Sequence, residues 1–289
     1  EDQNILRDDV FWLISGSKYD AENGDVAFPN PRKSEGLAAE GCFSDYETVE
    51  QLDDYPWPDP KRLDFTGDIE TLRNAGDVYR LSGLWSPFFH QMAGFFGMEE
   101  YFIKMYTHPE LIHEATARMV DFYLEGTRLF FEEAGNVVDS FFFGNDFGSQ
   151  LDLLVAPEQF EEFIFPYFKK LTDMAHDCGK HVFLHSCGSI YKVIPNLIDL
   201  GVEVLHPLQA KAANMEAENL QQFKGRITFF GGIDTQDLLV NGTPQQIKDD
   251  VHRVIDTLGP RLIVSPSHEA LLPNVPPENI LAMSEAVFE

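Results

Sequence analysis

A histidine and a cysteine two residues apart, in His185-Ser186-Cys187-Gly188, stand directly after the apolar stretch 181–184. They offer an imidazole nitrogen and a thiolate to one metal ion, provided the backbone bends past the strand, and Gly188 permits such a bend. Zinc takes mixed nitrogen and sulfur ligands, and its catalytic sites use three protein ligands with one position open. Two ligands do not hold zinc, so a third must come from elsewhere. His268, in Ser265-Pro266-Ser267-His268-Glu269, is the best candidate, with Glu269 and Asp146 in reserve. Without a metal, His185 and Cys187 read as a hydrogen-bonded polar pair at a strand end. Zinc needs deprotonated ligands, so an ion held in this way is lost in acid.

Asp146 follows a stretch ending in three phenylalanines. A carboxylate at the rim of an apolar core is partly desolvated, which suits a general acid unless a cation offsets it. A loop-shaping or capping aspartate is the alternative. Gln209, in His206-Pro207-Leu208-Gln209, can hold a substrate carbonyl or amide. Asp234 closes Gly231-Gly232-Ile233-Asp234, where paired glycines let a backbone approach a ligand, but it equally suits the cap of a helix near Thr235. His90, His108, His113, His176 and His252 fall on helices or turns, and Cys178 reads as a small buried apolar residue.

These side chains need elements that bring them together. Five times a helical stretch ends in glycine (Gly135, Gly179, Gly201, Gly225, Gly259) and runs into a short apolar strand. The strands are predicted at 137–143, 181–184, 202–205, 227–230 and 262–264, and another at 78–82. Parallel strands joined by helices place all their C-terminal ends on one face, so Asp146, His185, Cys187, His206, Gln209, Asp234 and His268 should converge. Helices are predicted at 68–75, 98–106, 109–133, 157–178, 189–200, 215–223, 243–258 and 276–287, and a helix or loop at 88–96. Thr243-Pro244 has the form of an N-cap followed by a first-turn proline. Residues 1–67 read as an irregular N-terminal segment with a short strand at 11–14, and 68–289 as the barrel domain. Six strands are legible against the eight of a closed (β/α)8 barrel, and the deficit is N-terminal. No glycine-rich phosphate fingerprint follows any strand, which disfavours a dinucleotide-binding sheet.

Composition narrows the function. The chain of 289 residues carries 48 acids against 21 bases, a formal charge of −27. That field repels phosphate backbones and anionic lipid, so neither nucleic acid nor membrane is an expected partner. No apolar run is long enough to span a bilayer, and no signal sequence is visible. Three cysteines (Cys42, Cys178, Cys187) form no disulfide framework, which points to a reducing compartment such as the cytoplasm. The aromatic load near 88–102 is compatible with a homodimer interface, although a buried core accounts for most of it.

With these residues in view, the chain resembles the uroporphyrinogen decarboxylase-like superfamily. The matching stretches are Gly144-Asn145-Asp146-Phe147-Gly148-Ser149-Gln150, His185-Ser186-Cys187-Gly188-Ser189-Ile190, Gly201 to Gln209, Gly231 to Gln236, Gly242-Thr243-Pro244 and Pro276-Pro277-Glu278-Asn279-Ile280. The resemblance implies a (β/α)8 TIM barrel, its first strand lacking or altered, with the site in the C-terminal mouth. It also implies two competing chemistries. Decarboxylases of tetrapyrroles work without a cofactor through an N-terminal Pro-x-Trp-x-x-Arg-Gln-x-Gly-Arg motif, which this chain lacks. Cobalamin-linked methyltransferases bind zinc through His-x-Cys and a later cysteine. His185 and Cys187 match that motif, whereas His268 stands in the neighbourhood of the later cysteine. The leading expectation is zinc-dependent methyl transfer from a small methylated or methoxylated compound to a corrinoid or thiol acceptor, with a corrinoid protein as partner. Asp146 is then an acid/base or positioning group, Gln209 orients the substrate, and Asn145, Gln150, His206 and Asp234 line its site. Uroporphyrinogen decarboxylation and a non-catalytic binding barrel are the alternatives.

Overall fold

The computed structural model describes residues 40–289, Phe28, and the backbone at 10–15 and 18–19. Most of the turn-rich stretch 23–31 therefore lies outside the described residues. The chain divides into two compact units. One is built from Asp9–Asn145 and Val155–Val182, the other from Asp146–Leu154 and Phe183–Glu289 together with the undescribed Glu1–Asp8.

In the first unit, strand β1 (Val10–Ser15) runs parallel to β2 (Tyr79–Leu84), with Val10 opposite Tyr79 and Ser15 opposite Leu84. The segment read as irregular thus supplies a parallel strand, two residues longer than the expected 11–14. β2 in turn pairs in parallel with β3 (Ser140–Gly144), Leu81 opposite Ser140. All five residues of β3 are buried, and a strand covered on both faces carries a continuous apolar run, here Phe141-Phe142-Phe143. β3 starts three residues later than the sequence suggests. Gly135–Val137 extends the end of the preceding helix as a tight 3-10 turn instead of joining the strand.

The long helix Pro109–Ala134 buries the expected stripe of Leu111, Ala115, Met119, Phe122 and Phe130. Residues 88–96, undecided between helix and loop, form the helix Phe88–Phe96, which buries Phe88, Phe89, Met92, Phe95 and Phe96. The helix expected at 157–178 is not uniform. A first turn, Pro157–Gln159, leads into a π turn at Phe160–Ile164 before the regular helix Phe165–Asp177. Pro166 is the cause: it has no N–H and its ring collides with the carbonyl four residues back, and the wider turn relieves both problems.

The second unit holds four parallel strands: β4 (His181–His185, whose last three residues belong here), β5 (Val204–His206), β6 (Thr228–Ile233) and β7 (Leu262–Pro266). Their order is sequential, with His185 opposite His206, Leu205 opposite Phe229, and Ile233 opposite Pro266. Helices intervene, and Leu184, Leu205, Phe229, Ile194, Leu197, Ile247, Val251 and Val254 make a fully buried core. Cys178, expected to be buried, is only partly so. No helix among the described residues is long and apolar enough to cross a membrane.

Two tests follow from local geometry. Gly231 has φ +127°, and a Cβ there would lie 1.9 Å from the Pro207 carbonyl oxygen, which is backbone and cannot swing away. Gly231→Ala should cost at least about 2 kcal/mol by denaturant unfolding, while Gly67→Ala, with open space around it, should be neutral or stabilising. An unchanged midpoint for Gly231→Ala would contradict the close approach. The helix Pro244–Leu258 opens with a reciprocal cap, in which Thr243 Oγ1 accepts from the Gln246 amide and Gln246 Oε1 accepts from the Thr243 amide. Thr243→Ala should lower stability by about 1 kcal/mol, read from the same unfolding curves.

Candidate metal centre

Register makes the first contact of the site. Paired residues on neighbouring parallel strands project to the same face, so the side chains of His185 and His206 emerge side by side at the ends of β4 and β5. Their Nδ1 atoms stand 2.9 Å apart, both rings almost wholly buried. His206 also packs its ring against Phe230, centroids 4.6 Å apart. Burial, then the neighbouring His185 and His268, hold the His206 imidazole well below its ordinary pKa, so it is neutral at neutral pH.

Past His185 the chain bends, and four successive amides of the bend are each bonded. Ser186 N–H donates to His206 O at 2.8 Å, Cys187 N–H to Asp146 Oδ1 at 2.8 Å, Gly188 N–H to Gln209 Oε1 at 2.7 Å, and Ser189 N–H to Ser149 O at 2.7 Å. Ser186 Oγ returns a bond by accepting from Phe147 N–H at 3.1 Å. Gly188, at φ +88°, lies so close to Gly148 that a Cβ would fall 2.2 Å from the Gly148 carbonyl. The glycine expected to permit the bend also permits the contact of two loops.

This bend fixes the thiol. Cys187 Sγ lies 3.4 Å from His185 Nε2, which is 3.3 Å from Asp146 Oδ1 and 3.6 Å from Glu269 Oε2. His268 Nε2 lies 3.4 Å from the same Glu269 oxygen. Among the described residues, two three-residue groups have ligand atoms all within 4.8 Å of one another: Asp146, His185 and Cys187, and Cys187, His268 and Glu269. They share the thiol. The expected trio of His185, Cys187 and His268 is therefore divided between two sets, and the reserve carboxylates complete each one.

The other sequence candidates are engaged in hydrogen bonds of their own. Gln209 uses its carbonyl oxygen on the Gly188 amide. Gln150 Nε2 donates to Gln236 Oε1 at 3.3 Å. Asp234 holds a turn, accepting from the amides of Gln236 (2.8 Å) and Leu238 (3.0 Å), with Lys211 Nζ at 3.5 Å, while the helix that follows starts only at Leu238, with Asp237 at its N-cap. In the first unit, Asn145 is buried with Nδ2 donating to Ser86 O and Oδ1 accepting from Phe89 N–H, both at 3.0 Å. Sequence reasoning missed Ser149, Ser186 and Gly148, which hold the bend through backbone bonds and close approach. All three lie within the stretches that carry the family resemblance, and that was the available signal.

The donor set suits a divalent cation of borderline softness, with one thiol, imidazole and carboxylate oxygen. The electrostatics agree. Burial first, then the charges of Asp146 and Glu269, push the Cys187 thiol far above its usual pKa. A thiol boxed in by carboxylates stays protonated unless a positive charge enters, and a bound cation reverses that balance.

Comparison with curated proteins found no match. Among solved structures, a methyltransferase from Methanosarcina mazei superposes with a TM-score of 0.69 at 17% identity, covering 96% of this chain and 79% of that one. At that identity the likeness speaks for the fold, the α/β class of the TIM barrel. A family model described as Uroporphyrinogen decarboxylase (URO-D) matches residues 40–289, and the chain therefore belongs to the uroporphyrinogen decarboxylase family.

Proposed function

We propose that this chain is a metal-dependent enzyme of the family, transferring a methyl group from a small methylated or methoxylated compound to a thiol or corrinoid acceptor. The observation that carries the reading is the cluster of Cys187, His185 and Asp146, with His268 and Glu269 meeting the same thiol. The fold likeness to a methyltransferase supports it. Cys187 and His185 would hold zinc with Asp146, or Cys187 with His268 and Glu269. A bound ion supplies Lewis acidity that keeps a nucleophile deprotonated at neutral pH.

The chain's own groups do the rest. Asp146, with 41% of its side chain exposed, is reachable from solvent and, where Cys187, His268 and Glu269 hold the ion, can take the proton that a thiol acceptor gives up. The nucleophile's electron pair then forms the new bond to the methyl carbon, and the old bond breaks with its pair going to the donor. Gln209 acts on this chemistry by clamping the Gly188 amide and thereby the thiol beside it. In this reading Asp234, Gln150 and His206 would line and support the strand-end site, and Asn145 would support its own loop. With a corrinoid acceptor, a corrinoid protein would be the partner.

Tetrapyrrole decarboxylation, the activity in the family model's description, is the second reading. The carboxylates of Asp146 and Glu269 beside Cys187 disfavour a polycarboxylate substrate. Cobalt substitution separates the two. The purified chain should bind Co²⁺ with a sulfur-to-metal absorption band that Cys187→Ser abolishes. His185→Ala should weaken zinc binding by more than the roughly 10–100-fold expected for an outer partner. Porphyrinogen turnover by the metal-free chain would favour decarboxylation and overturn the metal reading. Gln209→Leu should lower stability by about 1–3 kcal/mol by leaving the Gly188 amide unbonded, and should weaken zinc binding. Gln209→Glu, which keeps the acceptor, should retain most of both in melting and competition titrations.

A further inference from the structure

The Cys187 thiol belongs to two ligand groups at once, and one carboxylate oxygen is shared in a similar way. Glu269 Oε2 stands 3.6 Å from His185 Nε2 and 3.4 Å from His268 Nε2. Four-coordinate zinc, with bonds of about 2.0–2.3 Å, sets its donor atoms roughly 3.3–3.8 Å apart. His185 Nε2 meets that spacing toward Asp146 Oδ1 (3.3 Å), Cys187 Sγ (3.4 Å) and Glu269 Oε2. His268 Nε2 meets it toward Glu269 Oε2 alone. The five donors do not gather around one point, because among the described residues they form two groups joined by the thiol instead of one group of five. A single ion therefore leaves either Asp146 or His268 out.

We infer that the cluster is a two-ion centre, with an inner divalent cation on His185 and Asp146, an outer one on His268, and Cys187 Sγ and Glu269 bridging them. A carboxylate has two oxygens to divide between cations, and a thiolate sulfur has lone pairs for both. Paired catalytic ions stand roughly 3.5–4 Å apart, a span that one bridging sulfur covers. Charge points the same way. One divalent cation against two carboxylates and a thiolate leaves an anionic cluster, while two leave a small positive charge that an acceptor thiolate completes. Burial ranks the two positions. The His185 side chain is only 4% exposed, whereas those of His268 and Glu269 are each 42% exposed, so the inner ion is held more tightly and the outer one faces solvent. His268 Nδ1 lies against the Ala270 backbone, 3.1 Å from its amide nitrogen and 3.3 Å from its carbonyl oxygen, which leaves Nε2 for the outer ion. With both positions filled, Asp146 is a ligand and not a base.

This rests on the metal reading proposed above, and stoichiometry separates the two. The full chain, stripped with a chelator, is titrated with Co²⁺ in excess magnesium, which occupies ordinary surface carboxylates. Bound cobalt is counted by equilibrium dialysis and followed by absorption and electron paramagnetic resonance. The expected result is two Co²⁺ per chain, the second bound more weakly. The sulfur-to-metal band should grow with both equivalents, and the resonance of the first ion should fall as the second couples to it through the shared sulfur. His268→Ala should bind one Co²⁺, with an undiminished resonance. A single ion in the wild-type chain, a second ion without coupling, or a second ion retained by folded His268→Ala would each overturn this inference and leave the metal reading standing. Should that variant fail to fold, the wild-type count and coupling still decide. A wild-type chain that takes up no cobalt would overturn both.

Discussion

One carboxylate oxygen organises the site. Asp146 Oδ1 accepts the Cys187 amide at 2.8 Å and faces His185 Nε2 at 3.3 Å, so a single atom sets the backbone of one candidate ligand and the surroundings of another. The bend at Ser186–Ser189 leaves strand pairing at a buried edge, where an unbonded amide would carry a full desolvation cost. Asp146, Gln209, His206 and Ser149 each take one of those amides, and the close packing of Gly148 on Gly188 lets the donors and acceptors reach each other. The thiol is thus held by the backbone beneath it, independent of anything it binds.

The electrostatic character of the site follows from the same arrangement. Surface ion pairs such as Lys169 with Asp173 and Lys192 with Asp152 are half-exposed and contribute little. Around Cys187 two carboxylates stand close to a partly buried thiol, and in a chain of net charge −27 that local excess is reinforced by the global field. Such an environment attracts cations and repels anions before any specific contact forms. The acidic surface and the acidic cluster therefore favour the same class of ligand.

Much of this was legible in the residues, and the gaps have physical causes. Buried strands such as Phe141-Phe142-Phe143 and the helix Pro109–Ala134 show in periodicity, because burial dictates residue type. The Thr243 cap shows because its chemistry is local. β1 was nearly invisible, since its pairing with Tyr79–Leu84 spans more than sixty residues and leaves only a short apolar run behind. The boundaries of β3 and of the helix at 157–178 shifted where a 3-10 turn and the demands of Pro166 took over. At the site, the residues that converge on one strand-end face were readable from strand order. Which carboxylate completes which group was not, because Asp146 and Glu269 are placed by loops whose conformations depend on non-local backbone bonds. The bond from the Gly188 amide to Gln209 could not be read, because that amide has no signature of its own.

The two loops that approach the thiol differ in how tightly they are committed. The bend at Ser186–Ser189 has every amide assigned and a glycine contact that tolerates no added atom. The segment carrying His268 and Glu269 runs on into Leu271 and Leu272, both solvent-facing. Insertions and side-chain changes are therefore filtered unequally during divergence: the first loop is frozen by its geometry, while the second can lengthen or change sequence and reshape what the thiol meets. Of these two loops, the one with room to vary begins just beyond Glu269.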